Sequence, residues 1–139
     1  MKKRIHLSMM GGIGDQIFQL SFANYLKKKF NCEAHLDISY YDTKLNYNKF
    51  KFRLKNLARK NNFKLTNNIL KIDYKYLSYL RIFNILKLDI LIPSIYQLFF
   101  KIKIKNFVYE YWKENRNFKV DKNSYYFGYW HDLKYIKPL

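Results

Sequence analysis

The first 40 residues join a short apolar run, a glycine-rich turn, a segment with helical spacing and a second short run. Residues 4–10 are mainly apolar and end at Gly11-Gly12-Ile13-Gly14, a pattern typical of a tight turn after a strand. Apolar residues then recur at helical spacing over 15–30, with Asp15 as the predicted N-cap. Residues 33–38 predict another strand. This order indicates a βαβ unit, and therefore an α/β fold built on a parallel sheet.

The rest of the chain gives weaker signals. Helical spacing predicts helices over 54–60 and 74–87, and aromatic and β-branched composition predicts strands over 107–112 and 124–130. Residues 131–136 resemble the first turns of a further helix. No repeat or low-complexity linker divides the sequence, so we expect one domain over residues 1–139.

Charge and composition narrow the function classes. Lys plus Arg number 27 against 10 Asp plus Glu, a net charge of +17 that is typical of polyanion binders. The lysines are spread along the chain, however, and accompany the Asn, Ile, Tyr and Phe that A/T-rich codons favour. A basic, aromatic module for single-stranded nucleic acid is therefore the alternative function, and nucleic acid is the less favoured partner. The 20% aromatic content excludes a disordered chain, and a single cysteine excludes an internal disulfide framework.

The glycine-rich turn is the first candidate site. Glycines before a helix leave the backbone open, and the free N–H groups at the helix start can bind a phosphate or diphosphate. Gln16 could add a side-chain donor. The segment lacks both the dinucleotide fingerprint and the P-loop lysine, so a tight turn without a ligand is an equal alternative.

The aromatic run at 125–131 is the second candidate site. Tyr129 and Trp130 could stack on a sugar or a base beside Gly128, although the residues alone favour a core strand and its bend. Asp37 and Asp42 flank a tyrosine-rich loop, where we expect solvated carboxylates. The three histidines are scattered without metal-ligand spacing, so no metal is expected.

Together these two runs resemble a known family. Gly11-Gly12-Ile13-Gly14-Asp15-Gln16-Ile17-Phe18-Gln19 is similar to the Gly-Gly-Leu-Gly-Asn-Gln-Met-Phe-Gln signature of glycosyltransferase family 11, the α-1,2-fucosyltransferases. Residues 126–135 resemble the family's second landmark, a Gly-Tyr-Trp/Phe-Gln box followed by an aromatic residue. Leu36-Asp37-Ile38 resembles the strand that follows the first helix.

The resemblance implies a GT-B-type enzyme with two Rossmann-like domains, of which this chain is the N-terminal, acceptor-side one. Such enzymes transfer L-fucose from the donor GDP-fucose to the 2-hydroxyl of a galactoside glycan, with inversion and without an essential metal or other cofactor. By similarity, four residues would lie near the donor's sugar and diphosphate: Gly12, Gly14, Asp15 and Gln16. Gly128, Tyr129 and Trp130 would be mainly architectural, with some acceptor contact. The resemblance assigns no catalytic base.

Two departures from the family pattern limit these implications. The family has Asn where this chain has Asp15, and a carboxylate would repel a diphosphate. The family's His-x-Arg-x-Gly-Asp motif, whose Arg holds the donor phosphate, does not occur in the sequence. We therefore expect the C-terminal donor-binding domain to be absent and the chain alone to be inactive. The expected location is the cytoplasm, with peripheral contact between lysine clusters and an anionic membrane face.

Overall fold

The computed structural model describes residues 3–67, 69–70, 97–110 and 120–136. Within these ranges, five strands form one sheet: β1 (Arg4–Ser8), β2 (Glu33–Asp37), β3 (Lys64–Thr66), β4 (Asn106–Tyr109) and β5 (Ser124–Phe127). The helices are α1 (Ile13–Phe30) and α2 (Lys55–Lys60), and short 3₁₀ turns occupy Ser39–Asp42, Gln97–Phe99 and Leu133–Tyr135.

The strand order is β3-β2-β1-β5-β4, and every neighbouring pair is parallel. From β1 the chain proceeds outward through β2 to β3, whereas β4 and β5 lie on the other side of β1. The order of the strands therefore reverses between β1 and β5. In open α/β sheets, ligands bind outside the carboxyl ends of the strands at such a reversal. The α/β class and the parallel sheet are confirmed.

Helix α1 starts earlier than its sequence pattern indicates. Its first residue is Ile13 and its N-cap is Gly12, which places Asp15 at the third helical position. The prediction of Asp15 as N-cap is therefore wrong, although its carboxylate still caps the helix by accepting a hydrogen bond from the Gly12 N–H at 2.9 Å. The helix ends at Asn31, whose left-handed backbone (φ 45°) is a common way to close a helix.

The core lies on both faces of the sheet. On one face, Ile5, Leu7 and Leu36 pack with the α1 residues Leu20, Phe22, Ala23 and Leu26 and with Trp130. On the other, Tyr125 and Phe127 of β5 join Phe107 of β4 and the segment that carries Phe100 and Ile104. Strand β5 contributes to both faces because successive side chains of a strand point in opposite directions.

The second face of the sheet also buries polar side chains. In β1 and β2, His6 pairs in register with His35, and Ser8 pairs with Asp37. The imidazole rings of His6 and His35 contact edge to face, with centroids 5.1 Å apart. Parallel strands usually carry apolar residues on both faces, so this polar stripe is a specific feature of the chain.

The remaining element predictions are confirmed in part. The helix predicted over 54–60 is α2, and the predicted aromatic strands correspond to the shorter β4 and β5. The helix predicted over 131–136 is wrong in type, because Leu133–Tyr135 forms a single 3₁₀ turn that Asp132 caps through its side chain. The predicted helix over 74–87 lies outside the described residues. Among the described helices, none has the length and apolar character needed to cross a bilayer.

We predict that His6 makes the protein acid-sensitive. Burial, with the neighbouring His35 and Arg4 charges, lowers the pKa of His6 from 6.5 to about 3. Between pH 6.5 and about 3, the unfolded chain binds a proton at His6 that the folded chain does not bind. The stability that comes from neutral His6 is therefore complete above pH 6.5 and is lost as the pH falls toward 3. The free energy of unfolding should fall by up to about 1.4 kcal/mol per pH unit from this group. Denaturant melts at several pH values should give a shallower slope for His6→Gln; an unchanged slope would contradict the assignment.

Candidate functional site

The glycine-rich loop after β1 and the aromatic loop after β5 meet at the carboxyl edge of the sheet. Gln19, fully buried in α1, joins them. Its Oε1 accepts from the Met10 N–H at 3.0 Å, and its Nε2 donates to the Gly128 carbonyl at 3.2 Å. Gly128 N–H donates in turn to Ser8 Oγ at 3.4 Å. The two sequence motifs, more than 100 residues apart, are therefore parts of one site.

In the first loop, Gly11 has a backbone conformation that requires glycine. Its φ is +75°, and a Cβ at this position would overlap the Asp15 carboxylate. The predicted site glycines have less demanding surroundings: Gly12 has extended backbone, and a Cβ on Gly14 would meet no atom within 4 Å. Gly14 therefore leaves open space over the start of α1, where the N–H groups of Ile13 and Gly14 bond to no other described residue.

Asp15 and His131 pair across this edge. Asp15 Oδ1 lies 2.9 Å from His131 Nε2, and the two side chains are 30% and 49% exposed. The hydrogen bond to a carboxylate favours the tautomer with the proton on Nε2. Nδ1 then carries the lone pair, and it makes no hydrogen bond within the described part of the chain.

His131 is held on several sides. Its ring stacks on Tyr129 with centroids 5.4 Å apart and contacts the edge of Phe18 at 4.9 Å. The Glu110 carboxylate accepts hydrogen bonds from the backbone N–H groups of Tyr129 and His131. A Cβ on Gly128 would overlap the Glu110 side chain, so only glycine lets this carboxylate approach.

The two predicted aromatic site residues have different surroundings. Tyr129 is half-buried and stacks on His131, on the surface between the glycine-rich and aromatic loops, which we call the crevice. Trp130 is fully buried, with a left-handed backbone (φ 59°) that directs its ring onto Phe22, 4.1 Å away between centroids. This packing makes Trp130 a core residue, and its acceptor contact stays a prediction.

Gln16, predicted as a ligand donor, is bonded within the chain. Its Nε2 donates to the carbonyls of Gly11 and Lys51 at 3.3 and 2.9 Å, and its Oε1 accepts from the Arg53 N–H at 2.9 Å. Both amide hydrogens are used, so Gln16 has no donor left for a ligand. Its role is to fasten the segment at 51–53 to the glycine-rich loop.

Asp37 is not the solvated carboxylate that its loop position predicts. It is fully buried at the end of β2, where it accepts hydrogen bonds from Tyr125 Oη at 2.7 Å and from the Ser39 N–H at 3.0 Å. Burial raises the pKa of Asp37, while the Ser39 and Tyr125 hydrogen bonds oppose the shift. Asp42 is exposed, as predicted.

Tyr40 and Tyr41, in the turn after β2, border the crevice beside Asp15. Tyr41 Oη donates to the Gly11 carbonyl at 3.4 Å. Burial, with the nearby Asp15 charge, raises the pKa of both phenols, so both remain protonated at neutral pH. Among the described residues, the crevice therefore brings together neutral aromatic hydroxyls, the Asp15 and Glu110 carboxylates and the His131 imidazole.

The Asp15–His131 pair has a geometry suited to proton transfer. Among the described residues, no group of three His, Cys, Asp or Glu side chains could hold a metal ion. An imidazole oriented by a carboxylate and reachable from solvent has the geometry of a general base.

Sequence reasoning did not identify Gln19, Glu110 or His131 as site residues. Gln19 lies within the first motif and His131 within the second, so the motifs themselves could have pointed to these two residues. Glu110 carries no such signal, because its role depends on the close approach of β4 to Gly128, which only the fold brings about.

We predict that Gln19→Leu destabilises the protein strongly. The change leaves the Met10 N–H and the Gly128 carbonyl buried without partners. At about 1–3 kcal/mol for each unsatisfied group, the free energy of unfolding should fall by about 2–6 kcal/mol. Asn48→Leu, an exposed loop change of the same kind, should alter it by less than about 0.5 kcal/mol. Urea denaturation checks both values, and equal effects would contradict the role of Gln19.

The chain matches no protein-family model, no curated protein and no solved structure.

Proposed function

We propose that this chain is the acceptor-side domain of an inverting galactoside α-1,2-fucosyltransferase that uses GDP-fucose. The family is inferred from the motif resemblance. The crevice lies where the strand order reverses, which is where ligands bind in open α/β sheets. The observation that carries the proposal is the Asp15–His131 pair at 2.9 Å, because it joins one residue from each motif in a catalytic arrangement.

In this proposal His131 is the base that activates the acceptor. Its Nε2–H donates to Asp15 Oδ1, which fixes the ring and leaves the Nδ1 lone pair for the proton of the galactoside 2-hydroxyl. The oxygen then attacks the anomeric carbon of fucose from the face opposite the diphosphate, which leaves with the electron pair of the broken bond. Asp15 stabilises the imidazolium that forms, as a carboxylate does in a hydrolase triad.

The aromatic rim provides the acceptor surface. Tyr129 is half-buried beside His131, and Tyr40 is half-buried near Asp15. Aromatic rings contact the apolar face of a galactose ring, and the phenol hydroxyls can bond to its hydroxyl groups. These contacts would hold the sugar with one hydroxyl at His131 Nδ1.

We predict that the chain binds N-acetyllactosamine in the crevice. In a protein-observed NMR titration, the backbone amides of Gly12, Tyr129 and His131 should shift with saturable binding. His131→Gln should weaken binding by about tenfold, since its amide can still reach Asp15 in the place of Nε2 but lacks an acceptor in the place of Nδ1.

Two controls make this experiment decisive. Maltose, which has no galactose, should bind at least about tenfold more weakly. His35→Gln, a histidine change on the opposite face from α1, should leave the affinity unchanged. Equal binding of both disaccharides, or shifts confined to residues outside the crevice, would refute the proposal.

We further predict that Asp15→Asn increases affinity for GDP. The carboxylate occupies the start of α1, where free N–H groups would otherwise attract a diphosphate. The amide removes the repulsion and adds a donor, so the dissociation constant should fall by about tenfold or more. Isothermal titration with GDP, with Asp42→Asn as a control for net charge, measures the effect. A similar gain in both variants would show that only overall charge matters.

A further inference from the structure

A second pocket lies beside the C-terminal half of α1. It has a volume of about 310 Å³ and is lined by Ser21, Asn24, Tyr25, Lys28, Lys29 and Tyr135. This volume is at the lower end of the range for small-molecule sites. At about 1.5 Å per residue, Lys28 lies roughly 20 Å along the helix from Asp15, so the pocket is separate from the crevice.

The pocket is lined in part by a polar side chain that forms no hydrogen bond within the described chain. Asn24 is only 6% exposed and lines the pocket. Its amide forms no hydrogen bond with any described residue. The amide atoms are not fully buried, so they are available to a ligand with hydroxyl groups.

One wall of the pocket is aromatic. The rings of Tyr25 and Tyr135 have centroids 5.1 Å apart and are inclined at 49°. Tyr25 belongs to α1, and Tyr135 reaches it from the 3₁₀ turn that follows the aromatic loop. Tyr135 is only 1% exposed, so Tyr25, which is half-buried, supplies the ring on which the apolar face of a sugar can rest.

The opening of the pocket is cationic. Lys28 and Lys29 are both exposed, and neither forms an ion pair with a carboxylate of the described residues. Lys29 Nζ donates to Tyr25 Oη at 2.9 Å and lies 5.3 Å from the Tyr25 ring centroid, which positions it at the aromatic wall. An anionic group on a ring bound against Tyr25 would lie close to both ammonium groups.

We propose that this pocket binds an anionic monosaccharide, with its ring on Tyr25, a hydroxyl at Asn24 and a phosphate, sulfate or carboxylate at Lys28 and Lys29. The site is independent of the fucosyltransferase proposal, because it shares no residue with the crevice. It gives the chain a second saccharide site on the same helix.

The test is a protein-observed NMR titration of the full chain at about 0.15 M ionic strength, so that diffuse charge is screened. Glucose 6-phosphate and glucuronate serve as phosphate and carboxylate probes, and glucose and inorganic phosphate as the separate parts. At least one anionic sugar should shift the amides of Ser21, Asn24 and Tyr135 with saturable binding. Each separate part should bind at least about tenfold more weakly.

Variants distinguish this site from general attraction to a basic protein. Lys28→Gln and Asn24→Asp should each weaken binding by about threefold to tenfold, whereas Lys60→Gln, an exposed lysine on α2, should not. Lys28→Gln alters an exposed side chain, so it remains informative if Asn24→Asp fails to fold. The proposal is overturned if inorganic phosphate binds as tightly as the sugar phosphate. It is equally overturned if Lys60→Gln weakens binding as much as Lys28→Gln, or if no probe saturates below about 10 mM.

Discussion

The two hydrogen bonds of Gln19 hold the crevice together. A parallel sheet leaves backbone groups without ladder partners where its strands end, and those groups are costly when buried. Gln19 satisfies one group after β1, at Met10, and one after β5, at Gly128. The same amide therefore fixes the distance between the two loops. The Asp15–His131 pair depends on it, because each partner follows one of the bonded loops.

Within the motif at 11–19, some side chains hold the backbone in place, whereas others are exposed to solvent. Gln16 and Gln19 are both fully buried, and each bonds to backbone on another part of the chain. Asp15, between the glycines and these glutamines, is partly exposed and meets His131. A glutamine is suited to the scaffold role since one uncharged side chain supplies both an acceptor and two donors. Asp15 and His131 can then remain partly exposed at the surface.

The sequence specifies the frame of the fold better than the site. Glycines between an apolar run and a helical pattern require a βαβ opening, and that opening is observed. The spacing of apolar residues does not reveal the whole buried face of α1, because four polar residues are buried as well: Gln16, Gln19, Ser21 and Asn24. Asp37 follows the same logic, since one of the hydrogen bonds that satisfy its buried carboxylate comes from Tyr125, on a strand 88 residues away. Long-range partners of this kind have no signal in local composition.

The charged side chains at the two ends of α1 are opposite in sign to the partial charges of the helix dipole there. An N-terminus normally attracts anions, but here Asp15 already accepts from the Gly12 N–H and adds a negative charge. The C-terminal turn carries Lys27, Lys28 and Lys29, which more than offset the partial negative charge of its carbonyls. Positive charge is therefore concentrated at the lysine end of the helix, away from the glycine-rich loop. Under the proposed function, the Asp15 carboxylate disfavours a diphosphate beside that loop and is compatible with a neutral sugar hydroxyl there.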